Sequence, residues 1–485
     1  MKKIVVAGAP GLPFPLPDVP VITAREYLTS RAWFAASGIH VVNLSNEYRY
    51  GSRGYYVSLL AEARGHRVLP GVKTIQDLKA STLTQVISDE LSTLVDRSLR
   101  RLKADEFTLS VYFGKNLAKQ YDRLSRELFR LFQAPLLRAR FVRGRGWELR
   151  SVRAISMNDV PPEHMEFVGQ AAREYFARRS HRRAGPGPFR HDLAILHNPD
   201  DPTPPSDARA LSRFVAAGER AGFAVELVTR DDYGRMGEFD ALLIRETTAV
   251  NHHTYRFARR AESQRLAVID DPDAILRCTN KVYLAELLES NSVPTPKTVI
   301  VHRDNAGSLI DELGLPLVLK VPDGSFSTGV MRAASPTEVR ETLNAMLDRS
   351  DLVIAQAYTP TDYDWRVGVL DGEPLFACKY YMARGHWQIY NWGSRSRKDR
   401  EGAFETVPTD AVPPAVLDTA LRATALVGTS LYGVDLKESN GGSVVIEVND
   451  NPSIDAGVED RVAGDALYDR IIAALLSRIE TARKR

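Results

Sequence analysis

Cysteine is nearly absent from this sequence: Cys278 and Cys378 are the only two in 485 residues. A chain of this length with two thiols carries no disulfide framework, and the pattern fits a reducing, cytoplasmic setting. Long hydrophobic runs are missing as well. No stretch approaches the ~20 apolar residues that cross a bilayer, so no membrane partner is expected. The opening Met1-Lys-Lys-Ile-Val-Val-Ala-Gly-Ala-Pro has the basic start of a secretory leader. Its apolar run is cut short by Gly and Pro, and it reads instead as a first β-strand ending in a turn. Charge of one sign is lacking too: 64 Lys+Arg against 61 Asp+Glu leave a formal +3, too little to argue for nucleic acid. Internal repeats and low-complexity tracts are absent. So are a P-loop ending in Gly-Lys-Ser/Thr, a Gly-x-Gly-x-x-Gly turn and a Gly-x-Ser-x-Gly elbow.

What is there is the composition of an ordinary globular protein, 44% hydrophobic and 26% charged, long enough for roughly two to four domains. Four divisions are expected: an N-terminal domain over 1–183, a βαβ domain over 190–275, and two further lobes over 276–360 and 361–480. The first opens with strands at Ile4–Ala7 and Ile39–Leu44. Amphipathic stretches at Asn116–Phe132 and Glu163–Arg179 flank a hairpin, Leu137–Val152, that pivots on Arg143-Gly-Arg-Gly. The region is locally rich in arginine. Its segment Asn46-Glu-Tyr-Arg-Tyr-Gly-Ser-Arg-Gly-Tyr-Tyr reads either as a pocket lining or as a loop packed on its own domain. Arg182-Arg-Ala-Gly-Pro-Gly-Pro is a linker by composition. After it, strands at Leu193–Leu196, Ala224–Val228, Ala241–Ile244 and Leu266–Ile269 alternate with helices at Ala208–Ala221 and near Asn251–Arg265. That alternation predicts a parallel sheet. His252 and His253, just ahead of the second helix, read as surface residues.

The chemistry concentrates downstream. In Tyr432–Glu438 and Val444–Asp450 apolar and polar residues alternate about a Ser-Asn-Gly-Gly-Ser turn, which describes a hairpin with one buried face. Asp435 then shares the other face with Glu447 and Asn449. A five-residue turn over Ser439–Ser443 puts Asp435 opposite Glu447; a four-residue turn needs a bulge to keep that parity. Two carboxylates and an amide oxygen on one face suit a hard cation, Mg²⁺ or Mn²⁺; the alternative on spacing alone is a solvated sheet face. Leu317–Val321 is a short apolar strand bearing Lys320, and it runs into Asp323-Gly-Ser-Phe-Ser-Thr-Gly-Val. Such a loop can present backbone N–H groups and hydroxyls to phosphate, or be a plain turn. Asn280 is a candidate N-cap for a helix that starts at Lys281, where a lysine opposes the helix dipole and an anion would offset the cost. Leu352–Gln356 reads as a buried strand. Asp364-Trp-Arg-Val-Gly-Val-Leu turns at Asp371-Gly and returns as Glu373–Tyr381, with Asp364, Arg366 and Gly368 on one face.

In order, the chain thus presents an Asn-Lys helix start, a Val-Leu-Lys-Val strand with a Gly/Ser loop, Gln-x-Tyr, Asp-x-Arg, Gly-Val-Asp and Glu-Val-Asn-Asp-Asn-Pro. This set resembles the ATP-grasp superfamily and, within it, the RimK-type carboxylate–amine ligases, over roughly Leu193 to Ala474. The resemblance implies an ATP-grasp fold, two α+β lobes clamping ATP, in an α/β and α+β multidomain chain. It implies nucleotide contacts from Lys281 and Lys320, with Lys320 near the α-phosphate. Gly324, Ser325, Ser327 and Gly329 belong to a loop over the phosphates on this reading, Gln356 and Tyr358 flank the adenine-reading segment, and Asp364 lies near the ribose. Arg366 and Lys379 face the γ-phosphate or the acyl phosphate, with Asn391 beside them. Asp435, Glu447 and Asn449 become Mg²⁺ or Mn²⁺ ligands. The implied reaction is ATP-dependent amide or peptide-bond formation through an acyl phosphate, with an amino acid, a peptide or a protein tail as acceptor. A kinase and a regulatory nucleotide-binding protein are the alternatives, and a homo-oligomer is left open. Three departures stand out: Phe326 is bulky for a phosphate loop, Asp450 and Asn451 stand where a small residue is usual, and Asp455 follows closely. The segment Tyr390-Asn-Trp-Gly-Ser-Arg-Ser-Arg-Lys is basic and reads as a binding loop or as plain surface. Met1 to Arg183 resembles the accessory N-terminal domain of RimK-like ATP-grasp proteins.

Overall fold

The computed structural model describes residues 2–484 except 9–10, 18, 35, 37–38, 79–90, 145, 181–188, 324–328, 392–401 and 440. The expected linker at 182–188, the loop residues Gly324, Ser325, Phe326 and Ser327, and the arginines and lysine of the basic segment after Asn391 lie outside the described residues. The chain divides into two compact units: Met1–Arg190 with Asp231–Glu238, and His191–Arg230 with Phe239–Arg485.

The first unit holds two sheets. One is parallel, in the order Val21–Thr23, Lys2–Ala7, Ile39–Leu44, Arg67–Leu69. Ile39–Leu44 is buried at every position, as a strand covered on both faces must be. The other is antiparallel, Glu106–Tyr112, Leu136–Arg143 and Trp147–Ala154. Both contribute to a core that includes Val42, Leu44, Tyr112, Leu136 and, from the helix Met165–Ser180, Val168 and Phe176. In the amphipathic stretch Asn116–Phe132 the α-helix begins only at Asp122. Asn116 closes a turn instead: its amide donates to the Ser110 carbonyl (2.7 Å) and accepts from the Ala118 N–H (2.8 Å), the local bonding that keeps Asn out of helices. The Asn46–Tyr56 segment packs on its own unit. Ser52 caps the helix Arg53–Ala63, and Tyr48 and Tyr55 bury against Ile75.

In the second unit the strands Ala267–Ile269, Ala241–Ile244, His191–Leu196 and Phe223–Val228 lie side by side, all parallel as the alternation predicts. Helices Ala208–Arg220 and Asp465–Lys484 share their core. A four-stranded antiparallel sheet follows, in the order Thr298–Val301, Val353–Ala357, Leu317–Lys320, Val330–Ala333, and then a five-stranded one, Phe404–Val407, Glu373–Tyr381, Tyr363–Leu370, Leu431–Ser439, Gly442–Asp450. The last hairpin is tighter than the expected five-residue turn. Its strands run to Ser439 and resume at Gly442, with Gly441 at φ +79°, backbone that glycine adopts without steric cost. A register shift at Asp435/Leu436 leaves Ile446 as the extra residue, and this bulge puts Asp435 opposite Glu447.

Candidate functional site

The polar ends of both antiparallel sheets open on one cavity of about 1210 Å³. Local structure aims each side chain. Asn280 caps the helix Lys281–Ser290, its side chain accepting from the Tyr283 N–H at 3.0 Å. The first helical residue, Lys281, is thereby turned inward, buried, with its ammonium 2.5 Å from Glu447 Oε1. Lys320 ends the strand Leu317–Lys320 and is buried. No hydrogen bond or ion pair holds it among the described residues. Gln356 donates to Thr298 Oγ1 at 3.0 Å, and the Tyr358 ring lies edge-on to Trp387 with centroids 6.1 Å apart.

The five-stranded sheet supplies the opposite chemistry. Arg366 pairs with Asp435 across the strands and donates to both its carboxylate oxygens, one at 2.8 Å. Asn449 Nδ2 donates to Asp435 Oδ2 at 3.2 Å. Asp364 accepts from Thr361 (3.1 Å) and is ion-paired with Lys437. Lys281, Lys320, Gln356, Tyr358, Asp364, Arg366, Asp435, Glu447 and Asn449 all line the cavity.

Three expected residues, Lys379, Asn391 and Gly329, do not join them. Lys379 pairs across the ladder with Trp365, not with Arg366, so strand parity turns it to the other sheet face. Its ammonium sits 5.2 Å from the ring centres of Tyr363 and Trp365 and 3.4 Å from Glu405. Asn391 does not line the cavity, although its neighbours Gln388, Ile389 and Tyr390 do. Gly329 sits in left-handed backbone (φ +77°), where a Cβ would meet Val321. Lys437 was missed, yet the parity that selects Asp435 also selects it. Arg245 was missed with no such signal. It is fully buried and donates to Asn451 Oδ1 (2.7 Å), Ser206 Oγ (3.0 Å) and the Pro452 carbonyl (2.8 Å), which fixes the chain just beyond Asn449. Asn451 also donates to the Glu246 carbonyl at 2.7 Å. Asp450 also lines the cavity, and its carboxyl is buried beside Asp270. Burial first, then that neighbour, pushes it well above the usual carboxylate range.

Burial sets the other charges. It pushes the Lys320 ammonium down to about 8, against the pull of Glu447. It raises Asp435 above its ordinary value, with Arg366 only partly offsetting it. For Glu447 burial works the same way but is outweighed by Lys281 and then Lys320, and the carboxyl is lowered. Two carboxylates and an amide thus meet on one wall. The set is all-oxygen, and it is the donor set that fits a hard divalent cation. Lys281, Lys320 and Arg366 beside it suit phosphate oxygens.

Residues 24–171 match the RimK-like ATP-grasp N-terminal domain and residues 278–475 the RimK-like ATP-grasp domain. A "Probable alpha-L-glutamate ligase" of Marinomonas sp. (strain MWYL1) is 26% identical over 272 residues, 52% of this chain and 87% of that protein. The ribosomal protein bS6–L-glutamate ligase of Shigella boydii is 27% identical over 229 residues, 46% of this chain and 73% of that protein. Among solved structures, D-alanine–D-alanine ligase from Bacillus anthracis superposes with a TM-score of 0.47 at 15% identity, covering 61% of this chain and 99% of that one. On its two matched domains, the chain belongs to the RimK-like ATP-grasp family of carboxylate–amine ligases.

Proposed function

We propose that the cavity binds ATP with Mg²⁺ and a carboxylic acid, activates the acid as an acyl phosphate, and passes the acyl group to the amine of an amino acid, a peptide or a protein tail. The observation that carries this reading is the meeting of Lys281, Lys320 and Arg366 with Asp435, Glu447 and Asn449 on the walls of one cavity. Lys320 lies buried at a strand end and meets phosphate oxygens from below. Lys281, bonded to Glu447, holds a second phosphate and positions that carboxylate. Gln356 and Tyr358 flank the base, and Asp364, held by Lys437 and Thr361, meets the ribose. Asp435, Glu447 and Asn449 are the residues that would hold Mg²⁺, which when bound neutralises charge on the phosphates.

A carboxylate oxygen attacks the γ-phosphorus and ADP leaves. The amine nitrogen then attacks the acyl carbon, phosphate leaves, and the amine gives up a proton as the amide forms. No nucleophilic side chain is needed. The protein contributes alignment and fixed positive charge, with Arg366 bonded to Asp435 and Lys281 to Glu447. Lys379, turned to the other face, has no part in it.

The test is a phosphate-release screen of acids and amines in pairs, with mass spectrometry of the products. The relatives named as L-glutamate ligases make glutamate the first compound to try. A ligase releases phosphate only when both partners are present, whereas a kinase needs one acceptor and leaves a phosphorylated product. Glu447→Gln is expected to reduce turnover by at least about 10²-fold; undiminished release would falsify the assignment of that wall.

A further inference from the structure

The strands His191–Leu196 and Ala241–Ile244 pair in parallel with Leu196 beside Ile244. The chain leaving the second of them carries Glu246 and then, after the cavity-lining Thr247–Asn251, His252 and His253 at the start of the helix His253–Ser263. The carboxyl edge of a parallel sheet is where open α/β folds bind ligands. Here it gathers an unusual set of donors. One ligand atom from each of Glu246, His252 and His253 lies within 4.8 Å of the others. Glu246 is only 3% exposed, and its Oε2 has no hydrogen-bond partner. His253 Nε2 stands 2.8 Å from Glu246 Oε1, yet makes no hydrogen bond. The two groups form an ion pair when the imidazole is protonated, while Glu246 Oε2 is left without a partner. The two imidazoles lie side by side with centroids 3.9 Å apart. His252 Nδ1 bonds Thr254 Oγ1 at 3.1 Å, which fixes the ring and leaves Nε2 as its ligand atom, as an outer partner does for metal-bound histidines.

We propose that Glu246, His252 and His253 bind one divalent transition-metal ion of the Zn²⁺ class. Two imidazole nitrogens and a carboxylate select Zn²⁺ and its neighbours over Mg²⁺, so this site differs in chemistry from the all-oxygen wall of the cavity. The ion meets the buried, unpartnered carboxylate oxygen, whose isolation is otherwise costly. The positive end of the helix opposes a dication there, a small effect beside three ligands. Three protein ligands leave a coordination position for water. Because the residues between the ligands form part of the cavity wall, the ion ties that wall to the parallel sheet. The reading of His252 and His253 as plain surface residues gives way to this one, and it stands whichever reaction the cavity performs.

The test uses the full chain, freed of metal by a chelator and titrated with Zn²⁺ in excess Mg²⁺, which occupies oxygen-only sites. Metal analysis after equilibrium dialysis is expected to find one Zn²⁺ equivalent that His252→Ala and Glu246→Gln both lose. The melting temperature of the unaltered chain is expected to rise on the order of 2 °C with Zn²⁺ about 100-fold above Kd. No Zn²⁺ bound by the unaltered chain, or equal stoichiometry in the variants, overturns the proposal. Should a variant fail to fold, the unaltered chain loaded with Co²⁺ decides the matter: hyperfine-shifted imidazole resonances from two histidines support the site, and their absence refutes it.

Discussion

Lys320 lies buried where phosphate charge is expected, and burial has lowered its pKa to about 8 in the free protein. A bound polyphosphate favours the charged form, so nucleotide binding takes up a proton wherever Lys320 is neutral beforehand. The sign follows: ATP affinity is level below pH 8 and falls as pH rises through it, by up to about tenfold per unit until the higher pKa of the complex is passed. Lys320→Arg stays charged throughout and is expected to remove that slope, even at some loss of affinity from its bulk. Calorimetric ATP titrations of both proteins from neutral pH to about pH 10 check this; equal slopes would mean that another group titrates. Residues of this kind were legible to differing degrees. Lys320, Asp435, Glu447 and Asn449 follow from strand parity and ordered motifs. Lys379 fails because its parity depends on which residue of the neighbouring strand it opposes, Trp365 and not Arg366, and a motif does not state that register. Arg245 could not be read at all, since its partners Ser206, Asn451 and Pro452 are remote in sequence.

The hairpin Leu431–Ser439/Gly442–Asp450 shows how an element converts register into a site. The bulge at Ile446 brings Glu447 opposite Asp435 in spite of the tight turn. The same ladder needs a glycine at position 433. A Cβ there would stand 2.7 Å from the Pro452 side chain and 3.1 Å from Arg366 Cδ. Gly433→Ala is therefore expected to cost about 1–3 kcal/mol of stability and, by displacing Arg366, to lower kcat. Gly442→Ala is the control: its Cβ comes no closer than 3.8 Å to its nearest neighbour, and its effect should stay within about 0.5 kcal/mol. Urea melts of both variants, read beside phosphate release, separate the two outcomes. Elements bounded by turn residues were legible in the sequence, such as Ala241–Ile244 and the hairpin at Leu136–Ala154. Val21–Thr23 and Arg67–Leu69 were not, being three residues each, too short for period 2 to declare itself. Glu106–Tyr112 does carry that alternation, with Glu106 and Thr108 exposed on one face and Leu109 and Val111 buried on the other, yet it was not read as a strand.

At the scale of the molecule, the division between the compact units does not follow the chain. Asp231–Glu238 belongs with Met1–Arg190, although the residues on either side of it belong to the other unit. Within the first unit it is held by the Arg67 guanidinium on the Gly237 carbonyl (3.1 Å), by Gln133 Nε2 on the Gly234 carbonyl (3.1 Å), and by Arg130 lying 5.2 Å over the Tyr233 ring. Nothing in Arg-Asp-Asp-Tyr-Gly announces partners 101 and 170 residues away, so composition and periodicity alone place it with its sequence neighbours. Its own bonds are local: Arg235 pairs with Asp232 at 2.9 Å and Glu238 at 3.5 Å, and such short-range ion pairs are weak. A chain beginning at His191 keeps the described residues that line the cavity but removes these three longer-range contacts. At about 1 kcal/mol for each hydrogen bond and about 0.5–1 kcal/mol for the cation–π contact, local opening of Asp231–Glu238 should become easier by roughly 2–3 kcal/mol. Its amides are then expected to exchange about 10²-fold faster than in the full chain, while those of the strand His191–Leu196 keep their protection. Hydrogen-exchange mass spectrometry of the two chains reads both regions at once. Unchanged protection of Asp231–Glu238 would show that its place is set by the chain that flanks it and not by residues 67, 130 and 133.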